Sequence, residues 1–274
     1  MHKAGFVNII GNPNAGKSTL MNAFLSQKLS IITAKAQTTR HRILGIFNTP
    51  KAQVVFSDTP GIIKPEYALQ ERMMDATNST FEDADIMLLV IAADDDGDLD
   101  KNAWKRITNF GGRLLIVLNK IDLSNQKNLE QLADVWQKKL PDAEIWSISA
   151  TESFRVMELR DRIVSLIPNH PPFFPKDQIT DKPERFFVNE AIREQILLCY
   201  QKEIPYAAEV MTEQFQETEK IIRIRSVIVV ERNSQKGIII GTKGSAIKHV
   251  GIEARKALEV FFTSNSEKFP SPKV

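Results

Sequence analysis

The stretch GNPNAGKST, Gly11–Thr19, lies between the apolar run FVNII and the segment LMNAFL. It reads as a strand, a glycine-rich loop and the start of a helix. Gly11 and Gly16, followed by Lys17 and Ser18, satisfy the phosphate-loop pattern in the setting it requires. Glycines let backbone N–H groups turn inward, where bulky side chains would block them. The helix N-terminus adds polarity that favours an anion. Asn12, Pro13, Asn14, Ala15 and Thr19 fill out the cradle. Lys17 is expected to reach the β- and γ-phosphates, and Ser18 to ligate Mg²⁺.

From Phe6 to Ile167, apolar runs alternate with helical patterns. The strand candidates are FVNIIG, RILGIF, AQVVFSD, DIMLLVIAA, RLLIVLN and EIWSIS. The helical ones are KSTLMNAFL, LQERMMDATNSTF, NAWKRITNF, LEQLADVWQKKL and VMELRDRIVSLI. Only NTPK separates the second and third strands, too short for a helical crossover, so that pair is predicted antiparallel. The remainder predicts an α/β fold of the P-loop NTPase type, a mostly parallel sheet with helices on both faces.

Three further motifs stand at predicted strand ends, where open α/β sheets bind ligands. NKID comprises Asn119, Lys120, Ile121 and Asp122. Its carboxylate can accept guanine N1–H and the 2-amino group, an arrangement adenine lacks, and the lysine stem can cover the base. SISA ends the next strand, and a backbone N–H near Ser149 and Ala150 can meet guanine O6. DTPG comprises Asp58, Thr59, Pro60 and Gly61. Its aspartate can hold Mg²⁺ through water, and its glycine N–H can sense the γ-phosphate.

The chain of 274 residues is long enough for two domains. Four prolines between Pro168 and Pro175 cannot continue a helix or a central strand. The division is therefore residues 1–168, a proline-rich linker 169–183, and a second domain 184–274. In the latter, ERFFVNEAIREQILLCYQ is helical, AAEVMTEQFQE and KIIRIRSVIVVE read as strands, and SAIKHVGIEARKALEVFF is a helix. No run of ~18 apolar residues spans a membrane, and MHKAGFVNII enters a strand with no charged-then-apolar leader. The single cysteine, Cys199, fits a reducing cytoplasm and is expected to be buried on a helix. The net charge of +2 hides an asymmetry: residues 221–274 hold ten Lys and Arg against four Asp and Glu. Such a segment suits a polyanion.

Gly241, Thr242, Lys243 and Gly244 form G-x-x-G ahead of a long helix. The spacing alone arises about once in a chain of this length. In this setting it matches the KH arrangement, whose loop clamps a single-stranded backbone. Lys243 and Lys248 add charge, and Ile238–Ile240 offer an apolar floor for bases.

With these motifs in order, the chain resembles the translation-factor-like GTPases, specifically the Era family. The segment AKAQTTRHRILGI looks like that family's first switch, and FFPKDQITDKPERFFVNEAIREQIL resembles its linker and opening KH helix. The resemblance runs from Lys3 to about Phe262. It implies a GTPase domain and a smaller α+β type II KH-like domain, here truncated at its C-terminus, since family members continue with a strand and a helix where this chain reads TSNSEKFPSPKV. By resemblance Thr39, rather than Thr38, ligates Mg²⁺ with GTP bound. Asn14 matches relatives that recruit K⁺ near the phosphates, with Arg40 and Arg42 as alternative finger residues or a solvent-exposed basic switch. Ile62 follows Gly61 where many small GTPases carry a water-orienting glutamine, so hydrolysis is expected to be slow.

The implied function is a GTP-binding and -hydrolysing switch that binds the 3′ region of small-subunit ribosomal RNA and acts in assembly of that subunit. It would be a cytoplasmic monomer with loose association at the inner face of the cell membrane. Alternatives are a GTPase in another RNA process, such as transfer-RNA modification, or a regulatory switch whose terminal module does not bind RNA.

Overall fold

The computed structural model describes residues 1–35, 37–63, 65, 68–78, 81, 83–95, 98–218 and 221–265. They divide into two compact units. Unit 1 holds Met1–Ser30 and Thr39–Asp181; unit 2 holds Ile31–Thr38 and the chain from Lys182 onward.

Unit 1 runs β1 (Lys3–Ile10), α1 (Lys17–Leu25), β2 (Ile43–Asn48), β3 (Ala52–Asp58), α2 (Ala68–Asn78), β4 (Ile86–Ala92), α3 (Lys101–Thr108), β5 (Arg113–Asn119), α4 (Gln126–Lys139), β6 (Glu144–Ser147) and α5 (Val156–Leu166). Its sheet has the order β2-β3-β1-β4-β5-β6. β2 runs antiparallel to β3, with Ile43 opposite Asp58 and Asn48 opposite Gln53. The other pairings are parallel. β1 lies between β3 and β4: the chain leaves β1 through α1 to the β2–β3 side and crosses from β3 through α2 to β4 on the other side. That opens a crevice there, and the Gly11–Ser18 loop sits at it.

β3 and β4 are buried along their whole length. A strand covered on both faces favours apolar side chains on both, hence the unbroken run IMLLVIA of β4, while the polar Gln53, Ser57 and Asp58 of β3 are buried as well. Phe24 of α1 stacks on Phe56 of β3 with centroids 4.7 Å apart. Burying one such side chain contributes about 1.5–3 kcal/mol. Trp136 of α4, Ile107 of α3 and Leu118 of β5 belong to another cluster of this core.

The proline-rich segment lies on unit 1 as far as Asp181. Asn169 bridges Lys3 and Thr180 bridges Gly45. The carboxamide oxygen of buried Gln53 accepts from the N–H groups of Phe173 at 2.7 Å and Phe174 at 3.0 Å. Prolines limit the donors of this segment, and a side chain of the sheet takes up two that remain.

Unit 2 runs α6 (Glu184–Cys199), α7 (Ile204–Ala207), β7 (Ala208–Glu217), β8 (Ile222–Val230), α8 (Asn233–Ile240) and α9 (Ser245–Asn265). β7 and β8 pair antiparallel from Ala208–Val230 to Glu217–Ile222, with an irregularity between Thr212 and Gln214. Tyr200, Val210, Ile239 and Val250 share one core cluster. Val188, Ile222, Leu258 and Phe262 share another.

Cys199 is exposed, contrary to expectation. On the last turn of α6, Ile196, Leu197 and Tyr200 face inward, leaving Leu198 and Cys199 outside. The helix begun at Ser245 runs three residues past Phe262, to Asn265. The expectation of a shortened KH-like domain turns on the tail, and 266–274 lie outside the described residues. Among the described residues, no helix is long and apolar enough to cross a membrane.

Candidate nucleotide site and glycine loop

The loop after β1 takes backbone angles that ordinary side chains resist. Gly11 has φ 147°, Gly16 φ 93° and Asn14 φ 61°. A Cβ on Gly16 would fall 2.2 Å from Asn119 Nδ2, and one on Gly11 would fall 2.2 Å from the Val90 carbonyl oxygen. Space and torsion both demand glycine here. Gly16 also caps α1 without any side-chain hydrogen bond. In contrast, Asp100 caps α3 and Asn125 caps α4 by accepting from Asn102 N and Asn128 N, each at 2.9 Å. The first N–H groups of α1 thus have no side-chain cap, as an anion-binding helix start requires.

Lys17 is buried, and its Nζ donates to the carbonyls of Gly11 at 3.1 Å and Asn12 at 2.8 Å. Burial lowers its ammonium to about 8, opposed by the Asp58 carboxylate. Ser18 Oγ donates to Asp58 Oδ2 at 2.7 Å and lies 2.9 Å from Thr39 Oγ1. Asp58 is fully buried and its Oδ1 has no hydrogen-bond partner among the described residues. Burial pushes its carboxyl above the usual range, against the lowering effects of Ser18 and Lys17. Two hydroxyls and a carboxylate therefore converge on one point with an unused anionic oxygen. This donor set fits Mg²⁺, which takes few carboxylates and completes its shell with water and phosphate oxygens. Among the described residues, no group of three or more His, Cys, Asp or Glu side chains offers a metal site.

The Asn119 amide ties two loops together. Its Nδ2 donates to the Ala15 carbonyl at 2.9 Å, and its Oδ1 accepts from Ala150 N at 3.0 Å. Ile121 N reaches the Ile148 carbonyl at 3.3 Å, joining the ends of β5 and β6. Lys120 stands at φ 61° with its Nζ 3.6 Å from Asp94 Oδ1, and Asp122 is exposed in the turn that follows. Ser149 is buried and pairs with Phe154 through backbone bonds in both directions. Thr59 Oγ1 donates to the Ile9 carbonyl at 2.9 Å, Pro60 accepts from Thr77 Oγ1 at 3.2 Å, and Ile62 N donates to the Gly11 carbonyl at 3.0 Å. A Cβ on Gly61 would come within 2.6 Å of Pro13 N, so the two loops touch there.

Thr38 and Thr39 part ways. Thr39 turns to Ser18 in unit 1, while Thr38 Oγ1 donates to the Lys35 carbonyl at 2.6 Å in unit 2. Arg42 pairs with Asp83 at 2.7 Å. Arg40 is buried, not the solvent-exposed switch residue expected, so desolvated guanidinium replaces a wet one there. Asn22 of α1 escaped the sequence reading. Its Oδ1 accepts from Leu29 N and Ser30 N, each at 3.0 Å, and its Nδ2 donates to the Ser30 carbonyl at 2.7 Å, shaping the turn out of α1. Its only sequence signal is an amide beside buried Met21.

In unit 2, Gly241 has φ 70°, Lys243 φ 52° and Gly244 φ 76°. A Cβ on Gly241 would meet the Ala246 Cβ at 2.6 Å, whereas one on Gly244 would meet nothing within 4 Å. Thr242, Lys243 and Lys248 are exposed. The apolar floor read from Ile238–Ile240 is split: Ile239 joins the core, and Ile238 and Ile240 are exposed. A helix turns side chains about 100° per residue, so three consecutive isoleucines cannot share one face. Elsewhere in unit 2, Ile228, Ile247, Val250 and Leu258 line a groove of about 250 Å³.

The sequence profile of a 50S ribosome-binding GTPase family matches residues 6–120, and a KH domain profile matches residues 203–266. GTPase Era of Syntrophus aciditrophicus is 44% identical over 270 residues, covering 96% of this chain and 87% of that relative. GTPase Era of Lacticaseibacillus paracasei is 42% identical over 260 residues, covering 94% and 87%. A crystal structure of Era with MgGDPNP and nucleotides 1506–1542 of 16S ribosomal RNA superposes with a TM-score of 0.87 at 37% identity, over 95% of this chain and 89% of that one. A variant of Aquifex aeolicus Era bound to GDP·AlF4⁻ gives a TM-score of 0.88 at 36% identity, over 95% and 90%. With a P-loop sheet, a strand-end set of motifs and a KH unit all in place, the chain belongs to the Era family of GTPases.

Proposed function

We propose that this GTPase binds GTP and GDP with Mg²⁺, binds the 3′ region of small-subunit ribosomal RNA, and acts in assembly of the small ribosomal subunit. The carrying observation is the convergence of Ser18, Thr39 and Asp58 beside an uncapped helix start, with Asp58 Oδ1 unpaired. Lys17 takes the β- and γ-phosphates, exchanging its carbonyl partners for anionic oxygens. Ser18, Asp58 and, with GTP, Thr39 hold the metal, whose charge would stabilise the phosphoryl oxygens. Backbone N–H groups from Asn14 to Thr19 face the phosphates, and Gly61 N–H senses the γ-phosphate. Asp122 reads guanine, Lys120 covers the base, and Ala150 N–H faces O6.

Buried apolar Ile62 has no group to orient water. Hydrolysis is therefore slow, on the order of 10⁻² s⁻¹ or below, and K⁺ held near Asn14 accelerates it relative to Na⁺. The glycine loop Gly241–Gly244, with Lys243 and Lys248, clamps the RNA backbone. Support comes from the exposed lysines and the 16S fragment held by the Era structure. The chain acts as a cytoplasmic monomer with peripheral contact to the inner membrane face, a reading that rests on family resemblance.

Base reading tests the whole assignment. Asp122→Asn is expected to weaken GTP and gain xanthosine triphosphate, because donor and acceptor swap. Equal loss of both nucleotides by equilibrium titration overturns it.

A further inference from the structure

α6 of unit 2 carries a buried ion pair with no assigned role. The Arg193 and Glu190 side chains are only 3% and 7% exposed. Arg193 Nε donates to Glu190 Oε1 at 2.8 Å, and Nη2 to Oε2 at 2.6 Å. This two-point contact fixes the plane of the guanidinium. The same Nη2 donates to the Thr38 carbonyl at 2.5 Å. Two neighbouring bonds bind the segment further: Ile32 N donates to Glu194 Oε1 at 3.4 Å, and Lys35 Nζ donates to the Tyr200 carbonyl. Residues 31–38 thus belong to the second unit although they lie between α1 and β2 of the first.

One peptide bond later the chain changes unit. Thr39 has its hydroxyl 2.9 Å from Ser18 Oγ, which in turn is 2.7 Å from Asp58. Consecutive Cα atoms are about 3.8 Å apart, so Thr38 cannot shift far without carrying Thr39. A buried pair is a costly element to retain for stability alone, since apolar replacements often do as well. Its geometry here serves a carbonyl next to a metal-site hydroxyl.

We infer that Arg193, oriented by Glu190, is a positioning residue for Thr39: through the Thr38 carbonyl, helix α6 governs whether the residue-39 hydroxyl stands beside Ser18 and Asp58. The inference rests on the reading of Thr39 as a ligand used with the triphosphate. By linkage, whatever displaces α6 alters triphosphate affinity, and the triphosphate resists that displacement equally.

The test uses the full chain with fluorescent GDPNP and GDP at saturating Mg²⁺. Arg193→Lys keeps a charge for Glu190 but loses the fork. The pair Glu190→Met with Arg193→Met removes both charges at similar volume. Each is expected to lower the GDPNP-to-GDP affinity ratio about tenfold, the worth of one charge-assisted bond, while GDP affinity holds. Thr39→Ala alone lowers the same ratio, and adding Arg193→Lys to it lowers the ratio no further. An unchanged ratio in folded Arg193→Lys, or additive losses in the double variant, overturns the inference. An unchanged ratio in Thr39→Ala overturns the underlying ligand reading instead. Should Arg193→Lys fail to fold, the methionine pair decides. Should both fail, hydrogen exchange of the unmodified chain decides: α6 protection must differ between GDP and GDPNP, and identical protection refutes the coupling.

Discussion

The chain carries two glycine loops that precede helices, and they are held by different means. The Gly11–Gly16 loop is packed from both sides: Asn119 presses on Gly16 and Val90 on Gly11, each 2.2 Å from where a Cβ would stand. Its lysine is buried among its own carbonyls. The Gly241–Gly244 loop is open at Gly244, and its lysine is exposed. The first loop is built to enclose a ligand of one shape. The second leaves its backbone and lysine open to solvent, as the proposed contact with an RNA backbone requires. Enclosure ties the first loop to the fold of its unit at both glycines; the second is packed at Gly241, against Ala246, and at Gly244 is constrained by torsion alone.

The largest effect expected from this contrast is at Gly16. Gly16→Ala sets a Cβ against Asn119 at φ 93°, displacing the amide that joins Ala15 to Ala150. Strain and lost geometry together should weaken GTP by at least about 100-fold, read by nucleotide titration. Next comes charge in the open loop. Thr242→Asp with Lys243→Asp should weaken single-stranded RNA about tenfold or more at fixed salt while leaving GTP affinity intact. Unchanged RNA affinity would shift the site towards Arg223 and Arg225.

A smaller effect follows from the burial of Lys17. Its folded value, about 8, lies below the ordinary 10.5. Between those values the unfolded chain binds more protons, so this lysine makes nucleotide-free unit 1 more stable as pH rises from about 8 to 10.5. Phosphates favour the charged ammonium, so nucleotide binding takes up a proton above pH 8. GTP affinity should be flat below pH 8 and fall by up to about tenfold per unit above it. A flat profile to pH 9.5 would remove Lys17 from the phosphate contact. The smallest effect belongs to Gly244→Ala. Only the φ of 76° opposes it, so unit 2 should lose about 1 kcal/mol in thermal unfolding. A loss as large as that of Gly16→Ala would show the loops to be alike.

Much of this was legible in the residues because it is local. Six strands and their order along the chain follow from apolar runs, and the antiparallel pair from a connection too short for a helix. Other features lay beyond pattern. Cys199 looked like a core thiol, but a helix end turns one face outward and that face was its own. The proline-rich segment read as a linker, and pattern gave no sign that its backbone meets Lys3, Gly45 and the Gln53 side chain, far earlier in the chain.

By itself, the sequence determined the P-loop sheet, the four nucleotide motifs and the glycine loop of the second unit. Each is a short run whose chemistry depends on adjacent residues. Only the tertiary structure decided how those runs meet. It made Asn119 a tie between two loops and gave Thr39 to one unit and Thr38 to the other. It also aimed Arg193 at a backbone carbonyl 155 positions away. Such contacts carry no periodicity and no local spacing. They arise when burial removes water from polar groups and leaves them only each other to bond.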